Sequence, residues 1–492
     1  MKKKIVKSML LALLAVSVTV TATGCSMSGK GSSDTVKLDP DHPVSLTIWH
    51  YYNGAQQATF DTLVKEFNDS VGKEEGIYVE EYSQGSVSDL EQAVTSSLNE
   101  EVGADELPDI FSSYADTAYA VQKQDKLADL TEYFTEEELS KYVDSYIDEG
   151  YFDQDGKLYL LPVAKSTEIM MIDKTDWEPF AEETGTSLDE LATTEGITEV
   201  AQRYYEWTDA QTPDIPDDGK AFYGRDSMSN YFIIGMKQMG TDIFEAKDGK
   251  VTLNTDKDKI RRLWDNYYVP SMKGYFARYG KFRSDDVKTG DIIAYTGSTA
   301  SAVYFPDFVE TEEGSDPIEC IIMNAPVMEG GENYKVQQGA GMAVTKSDKE
   351  HEYAASIFLK WFTQKEQNLR FVCDSSYLPV LKEANDVKEL DKVVKDNNIE
   401  INDKVYRCFE KIMEDFDNTT FYTPKSFENG YSARKVLDYN LADKLTADKE
   451  AVDEAVAAGT SREEALKPYL TDEAFEEWYA GFCDALEQAV EG

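Results

Sequence analysis

The chain has 492 residues, with 94 acidic against 49 basic side chains and a net charge of −45 at neutral pH. Such a surface repels nucleic acid and opposes tight capture of anions, while 12% aromatic residues, including 30 tyrosines, argue against disorder. The length exceeds what one simple core serves and points to two domains of roughly 200 residues or more.

In chain order, the first element is a sorting signal. Lys2, Lys3, Lys4 and Lys7 precede an apolar run over 9–20. That run is shorter than the about 20 residues needed to span a bilayer. The small residues Thr21, Ala22, Thr23 and Gly24 before Cys25 resemble the bacterial lipobox, with Ala22 where leucine is usual. The resemblance implies a signal peptide over 1–24 and a lipid-modified, palmitate-bearing Cys25 at the new N-terminus. Cleavage removes four lysines and no acid, leaving 468 residues and a charge of −49. The Ser-, Gly-, Lys- and Asp-rich stretch that completes 25–43 reads as a flexible tether.

From Val44 the pattern alternates, through Leu46 and Ile48, and ends in Trp49-His50-Tyr51-Tyr52-Asn53-Gly54, a strand and a turn. Phe60, Leu63, Val64 and Phe67 predict a helix, Ile77 and Val79 a strand, Val87 to Leu98 a helix, and Pro108 to Phe111 a strand. This β-α-β-α-β order predicts an α/β fold with a parallel sheet. Further on, Thr135 and Glu138 form a capping-box pattern. Strands are expected at 158–163, 168–172, 292–295, 318–323 and 341–345. A long helix begins with Ala354, Ile357, Phe358 and Trp361, and helices dominate after Pro379. Trp207, Trp264 and Trp361 lie on helical stripes and are expected in the core. Cys320, Cys373, Cys408 and Cys483 show no paired spacing and are expected to be mostly buried free thiols.

Several segments, in order, resemble the carbohydrate-type, maltose-binding-protein-like extracellular solute-binding proteins. They are Leu46-Thr47-Ile48-Trp49, Leu107-Pro108-Asp109-Ile110-Phe111, Leu127-Ala128-Asp129-Leu130-Thr131 and Asp155-Gly156-Lys157-Leu158-Tyr159-Leu160-Leu161-Pro162. Gly339-Ala340-Gly341-Met342-Ala343-Val344 with the helix after Lys349, and Leu378-Pro379-Val380, complete the set. The resemblance implies a periplasmic-binding-protein-like fold of two lobes with the ligand in the cleft between them and hinge crossings near Pro162, Pro317 and Tyr377. Lobe one is expected at 44–163 and 318–375, and lobe two at 164–317 and 376–492. The implied role is ligand capture for the permease subunits of an ABC importer, by a monomer held on the outer face of the cell membrane.

No enzyme motif competes with this reading. His42, His50 and His351 are scattered, and no HExxH, GxSxG, Walker A or Rossmann pattern occurs. Asp153-Gln154-Asp155-Gly156 begins like a calcium loop, but Tyr151 and Pro162 stand where acids are required, so it reads as a turn. No metal or cofactor is expected. A surface glycosidase stays open as an alternative, because 94 acids hide any catalytic pair. So does a receptor for a peptide or polar metabolite. A sugar needs ring faces for its C–H patches and fixed polar groups for its hydroxyls. The strand ends supply Tyr51, Tyr52, Asn53, Gln84, Tyr114 and Asp116, the crossings Lys165 and Gln338, and the expected second lobe Ser298. The resemblance adds Tyr231, at the start of a second-lobe helix.

Overall fold

The computed structural model describes residues 36–153, 155–247, 249–311 and 314–492. The chain divides into Met1–Lys37, of which only Val36 and Lys37 are described, and the fold proper, Leu38–Gly492. Cys25 and the sorting signal lie outside the described residues.

Alternation at Leu46 and Ile48 buries one face of Val44–His50, and this strand lies inside the first sheet, next to its central strand Ile110–Ser113. It pairs in parallel with Ile77–Ser83 and with Ile110–Ser113. Gly341–Val344 then joins antiparallel between Ile110–Ser113 and the short Leu161–Pro162. Phe60, Leu63, Val64 and Phe67 face this sheet from Gly54–Asp69, as their spacing predicts. Phe60 meets Phe362 and Phe371, with ring centroids 5.3 and 6.1 Å apart. Those two rings come from Lys349–Phe362 and Lys365–Ser375, so the core joins segments about three hundred residues apart.

The second sheet has the order Cys320–Asn324, Glu168–Asp173, Ala294–Ser298, Tyr223–Arg225. Glu168–Asp173 is buried along its whole length and runs antiparallel to both neighbours. Trp177, Phe180, Tyr204 and Phe222 form a ring cluster in this half. Trp264 stacks on Tyr268 at 3.7 Å and lies 4.8 Å from Trp478. Trp264 and Trp361 are buried as expected, whereas Trp207 is half-buried and donates to Glu183 at 2.9 Å. Cys320, Cys373 and Cys408 are buried free thiols, and Cys483 is half-buried and free.

Two expected passages between the sheets change. Cys320–Asn324 pairs with Glu168–Asp173, so the chain stays in the second sheet through Asn324. Pro317 instead ends a hairpin, Phe308–Thr311 with Gly314–Pro317. The return follows Asn324, through Tyr334–Val336, to Gly341–Val344. The segment after 375 also stays with the first core, where Leu378, Val380, Leu390 and Val393 are buried. Apolar alternation marks a strand but not the sheet it joins. Among the described residues no helix is long and apolar enough to cross a membrane.

Candidate functional site

The parallel strands of the first sheet end at His50, Ser83 and Ser113, so the residues that follow them share one edge. In sheets of this kind ligands sit beyond the carboxyl ends of the strands. His50 sets the first turn. Its Nδ1 accepts the Tyr52 N–H at 3.1 Å, which leaves the proton on Nε2 to be donated to Glu81 at 2.7 Å. Burial holds the imidazole neutral, with its pKa pushed down to about 4.

The turn sends its two tyrosines different ways. Tyr52 packs inward, stacked on His50 at 4.8 Å and tilted against Phe371 at 5.1 Å. Tyr51 is buried, and its hydroxyl lies close to that of Tyr377. Tyr114 lies beside Tyr377 as the N-cap of Ala115–Gln122 and stays partly open to solvent. Asn53 is exposed, and Gln84 is half-buried.

The crossings form the floor. Ser166 and Gln338 exchange two backbone hydrogen bonds of 2.9 Å, and Lys165 pairs with Leu378, so three chain segments are tied side by side. Gly339 adopts φ +95°, and a Cβ there would lie 2.9 Å from the Ala164 carbonyl, so the close approach requires glycine. The Lys165 side chain, 1% exposed, does not offer its ammonium to the cleft. It pairs with Glu149 and donates to the Gly339 carbonyl at 2.8 Å, and Gln337 also donates to Glu149, at 2.7 Å. Two buried acceptors beside this knot, Gln337 Oε1 and Gln338 Oε1, have no hydrogen-bond partner among the described residues.

On the second-sheet side, Glu168 accepts from Arg225 at 2.6 Å and from Asn230 at 3.0 Å. The Arg225 guanidinium lies over the Tyr231 ring, 5.0 Å from its centroid. Tyr231 itself is 3% exposed, and its hydroxyl donates to the Leu263 carbonyl at 2.9 Å. It is therefore a member of the second core, lining a small crevice beside Glu168, Arg225 and Asn230. Its neighbours Phe232, Ile233 and Ile234 are buried too, so the whole helix Met228–Gln238 is wrapped by protein. Ser298 is half-buried and caps the turn Thr299–Tyr304 through the Ala300 N–H at 3.2 Å.

Asp116 accepts from Arg434 at 3.1 Å, and a methyl group at Gly430 would sit 2.9 Å from its Oδ1. This contact brings the start of Gly430–Ala457 to the first-lobe edge and adds Tyr431, 51% exposed, with the Lys435 ammonium 4.4 Å above its ring. Between them lies a crevice of about 740 Å³ lined by Glu91, Asp116, Thr117, Tyr119 and Tyr431. Tyr51, Tyr114 and Gln338 thus gather near the crossings. Asn53 and Gln84 lie at strand ends, and Asp116 is engaged by Arg434. Sequence reasoning missed Glu149, Tyr377 as a side chain, and Tyr431. The only sequence signal for Tyr431 was its Tyr431-Ser432-Ala433-Arg434 setting at a helix start. No cluster of His, Cys, Asp or Glu among the described residues has the geometry to hold a metal ion.

The family model described as bacterial extracellular solute-binding protein matches residues 62–400. No curated protein sequence matches the chain. Among solved structures, the cyclic alpha-maltosyl-1,6-maltose binding protein of Arthrobacter globiformis is similar at TM-score 0.62 and 19% identity, over 90% of this chain and 100% of that one. UgpB of Mycobacterium tuberculosis, solved with glycerophosphocholine, gives 0.61 and 17% over 91% and 98%. The ABC substrate-binding protein Lmo0181 of Listeria monocytogenes, solved with cycloalternan, gives 0.58 and 16% over 89% and 99%. At these identities the likeness establishes the two-lobed fold.

Proposed function

The chain belongs to the bacterial extracellular solute-binding proteins, and from that premise we propose that it captures a sugar or oligosaccharide between its lobes and delivers it to ABC permease subunits. One observation carries the reading. Tyr51, Tyr114 and Tyr377 meet at crossings that also hold the unmet acceptor Gln338 Oε1. Ring faces beside unsatisfied buried acceptors are what a pyranose completes, through its C–H patches and its hydroxyl donors. Several structural neighbours were solved with oligosaccharides, which supports the same class. Closure would be a hinge motion about the tied crossings. The protein acts as a lipoprotein anchored through Cys25.

A second reading has its own support. The UgpB neighbour holds glycerophosphocholine, and clustered tyrosines also recognise quaternary ammonium groups. A thermal-shift panel of mono- and oligosaccharides, with glycerophosphocholine and dipeptides as further arms, decides. A ligand at 100 times its Kd stabilises by about 2.7 kcal/mol. A shift confined to the non-sugar arms overturns the sugar reading.

A further inference from the structure

A second aromatic groove lies on the second lobe, away from the crossings. Its walls are Tyr279 and Tyr439, 71% and 54% exposed, its floor is Tyr267 and Phe276, and its volume is about 250 Å³. The loop carrying Tyr279 is held firmly. The fully buried Arg283 pairs with Asp286 and donates to the Gly280 carbonyl at 2.5 Å. Asp286 in turn accepts the Gly280 N–H at 2.6 Å and the Tyr279 N–H at 3.3 Å. A buried ion pair thus fixes a loop whose aromatic ring faces solvent. Rigid support beneath an exposed ring is the arrangement of a binding platform.

The polar groups of the groove are under-used. The Lys449 ammonium has three hydrogens, and its one hydrogen bond among the described residues is to the Phe276 carbonyl at 3.4 Å. Burial and the nearby Arg462 push its pKa down to about 8. Asp443 and Arg278 also line the groove, and neither makes an ion pair or side-chain hydrogen bond among the described residues. Two ring walls, a free carboxylate acceptor and free cationic donors form a complementary set for a neutral polyhydroxylated ring.

The groove is also in line with the crevice beside the first lobe. Tyr431, Lys435 and Tyr439 follow at i, i+4 and i+8 on Gly430–Ala457, one stripe of that helix. Asp438 fixes the stripe by accepting the Ser229 N–H at 2.8 Å. Eight residues of helix separate the two tyrosines by about 12 Å along the axis, a distance a chain of sugar rings spans and a single ring does not.

We propose that Tyr279, Tyr439, Asp443 and Lys449 form an outer saccharide subsite, joined by the Tyr431 stripe to the cleft, and that the ligand is an oligosaccharide chain. The proposal rests on the sugar reading given above. The test titrates the full mature protein calorimetrically with α-1,4-gluco-, β-1,4-gluco-, β-1,4-manno- and β-1,4-xylo-oligosaccharides of two to six units. Wild type is expected to bind the longest member of one series at least tenfold more tightly than the dimer. The double variant Tyr279→Ala, Tyr439→Ala is expected to lose that gain while binding the dimer within twofold of wild type. Lys449→Gln is expected to give a smaller loss in the same direction, and an unchanged melting temperature shows that the variants fold. Length dependence that survives the double variant, or none in wild type, overturns the subsite alone. No binding of any series by wild type overturns the sugar reading and the subsite with it.

Discussion

The Arg434 guanidinium, on the helix that begins at Gly430, lies 3.1 Å from the Asp116 carboxylate, on the helix that begins at Ala115. The pair ties elements of the two lobes at a distance from the crossings, so it favours their approach. Both side chains are partly open to solvent, and such a pair contributes about 1 kcal/mol at most. Arg434→Ala is therefore expected to leave stability nearly unchanged and to increase the radius of gyration without ligand. An X-ray scattering profile identical to wild type would show that the pair does not bias closure.

Tyr231 sits in the second core, and its replacement is expected to act on folding. Tyr231→Ala removes a buried ring and leaves the Leu263 carbonyl unpartnered, which costs roughly 3–5 kcal/mol by analogy with other buried aromatics. Tyr231→Phe loses only the hydrogen bond, about 1 kcal/mol. Urea melts of the two variants without ligand check this order. A well-folded Tyr231→Ala with weakened ligand binding would instead return the residue to the site.

Lys165 and Glu149 are a buried pair at the junction of the crossings. Removing one partner strands the other charge, at a cost of about 3–5 kcal/mol. Lys165→Met is expected to destabilise the protein by that order, and Lys165→Met with Glu149→Gln to recover part of the loss. Equal melting temperatures for the single and double variants would show that the pair is not coupled.

His50 gives a pH dependence of known sign. Its folded pKa, about 4, lies below the unfolded value of about 6.5, so the unfolded chain binds more protons between them. The associated stability is complete above about pH 6.5 and is lost as pH falls towards 4, by roughly 3 kcal/mol in all. Burial is the larger cause, and the opposing pull of Asp61 is smaller. Denaturant melts at pH 4, 5, 6 and 7 are expected to show a shallower slope in His50→Gln than in wild type. Parallel slopes would exclude His50 as the source.

Cys25→Ser is expected to move the protein from the membrane fraction to the medium or to leave the signal peptide attached. Stable anchoring takes more than one acyl chain, so mass spectrometry of the wild-type N-terminal peptide is expected to show a multiply acylated cysteine. Undiminished membrane retention of the serine variant would contradict the anchor.

The first lobe was legible because its β-α-β-α-β run combines two clean periods, alternation in the strands and Phe60-Leu63-Val64-Phe67 spacing in the helix. The candidate site was less legible, because its members converge from distant segments. Tyr51 meets Tyr377, and Lys165 meets Glu149 and Gly339. No local spacing encodes such meetings. Tyr231 misled because a polar-tipped ring among apolar neighbours reads alike whether its hydroxyl meets a ligand or the Leu263 carbonyl. The strand Cys320–Asn324 was visible as a strand, yet its partner Glu168–Asp173 lies about 150 residues earlier.

Trp264 is sealed by Trp478, and Phe232 by Phe482 at 5.2 Å, with both partners supplied by Asp472–Glu491. A ribosome adding residues in order has therefore made nearly the whole chain before this core can close. Until then Trp264 and Phe232 lack the rings that close over them, and this part of the second lobe stays open. Contacts so far apart in sequence also make folding slow. A chain that must be threaded through a translocation pore before it folds gains from that delay. The same dependence means that a stop codon or a proteolytic cut a few dozen residues before the end removes the lid of an otherwise complete lobe.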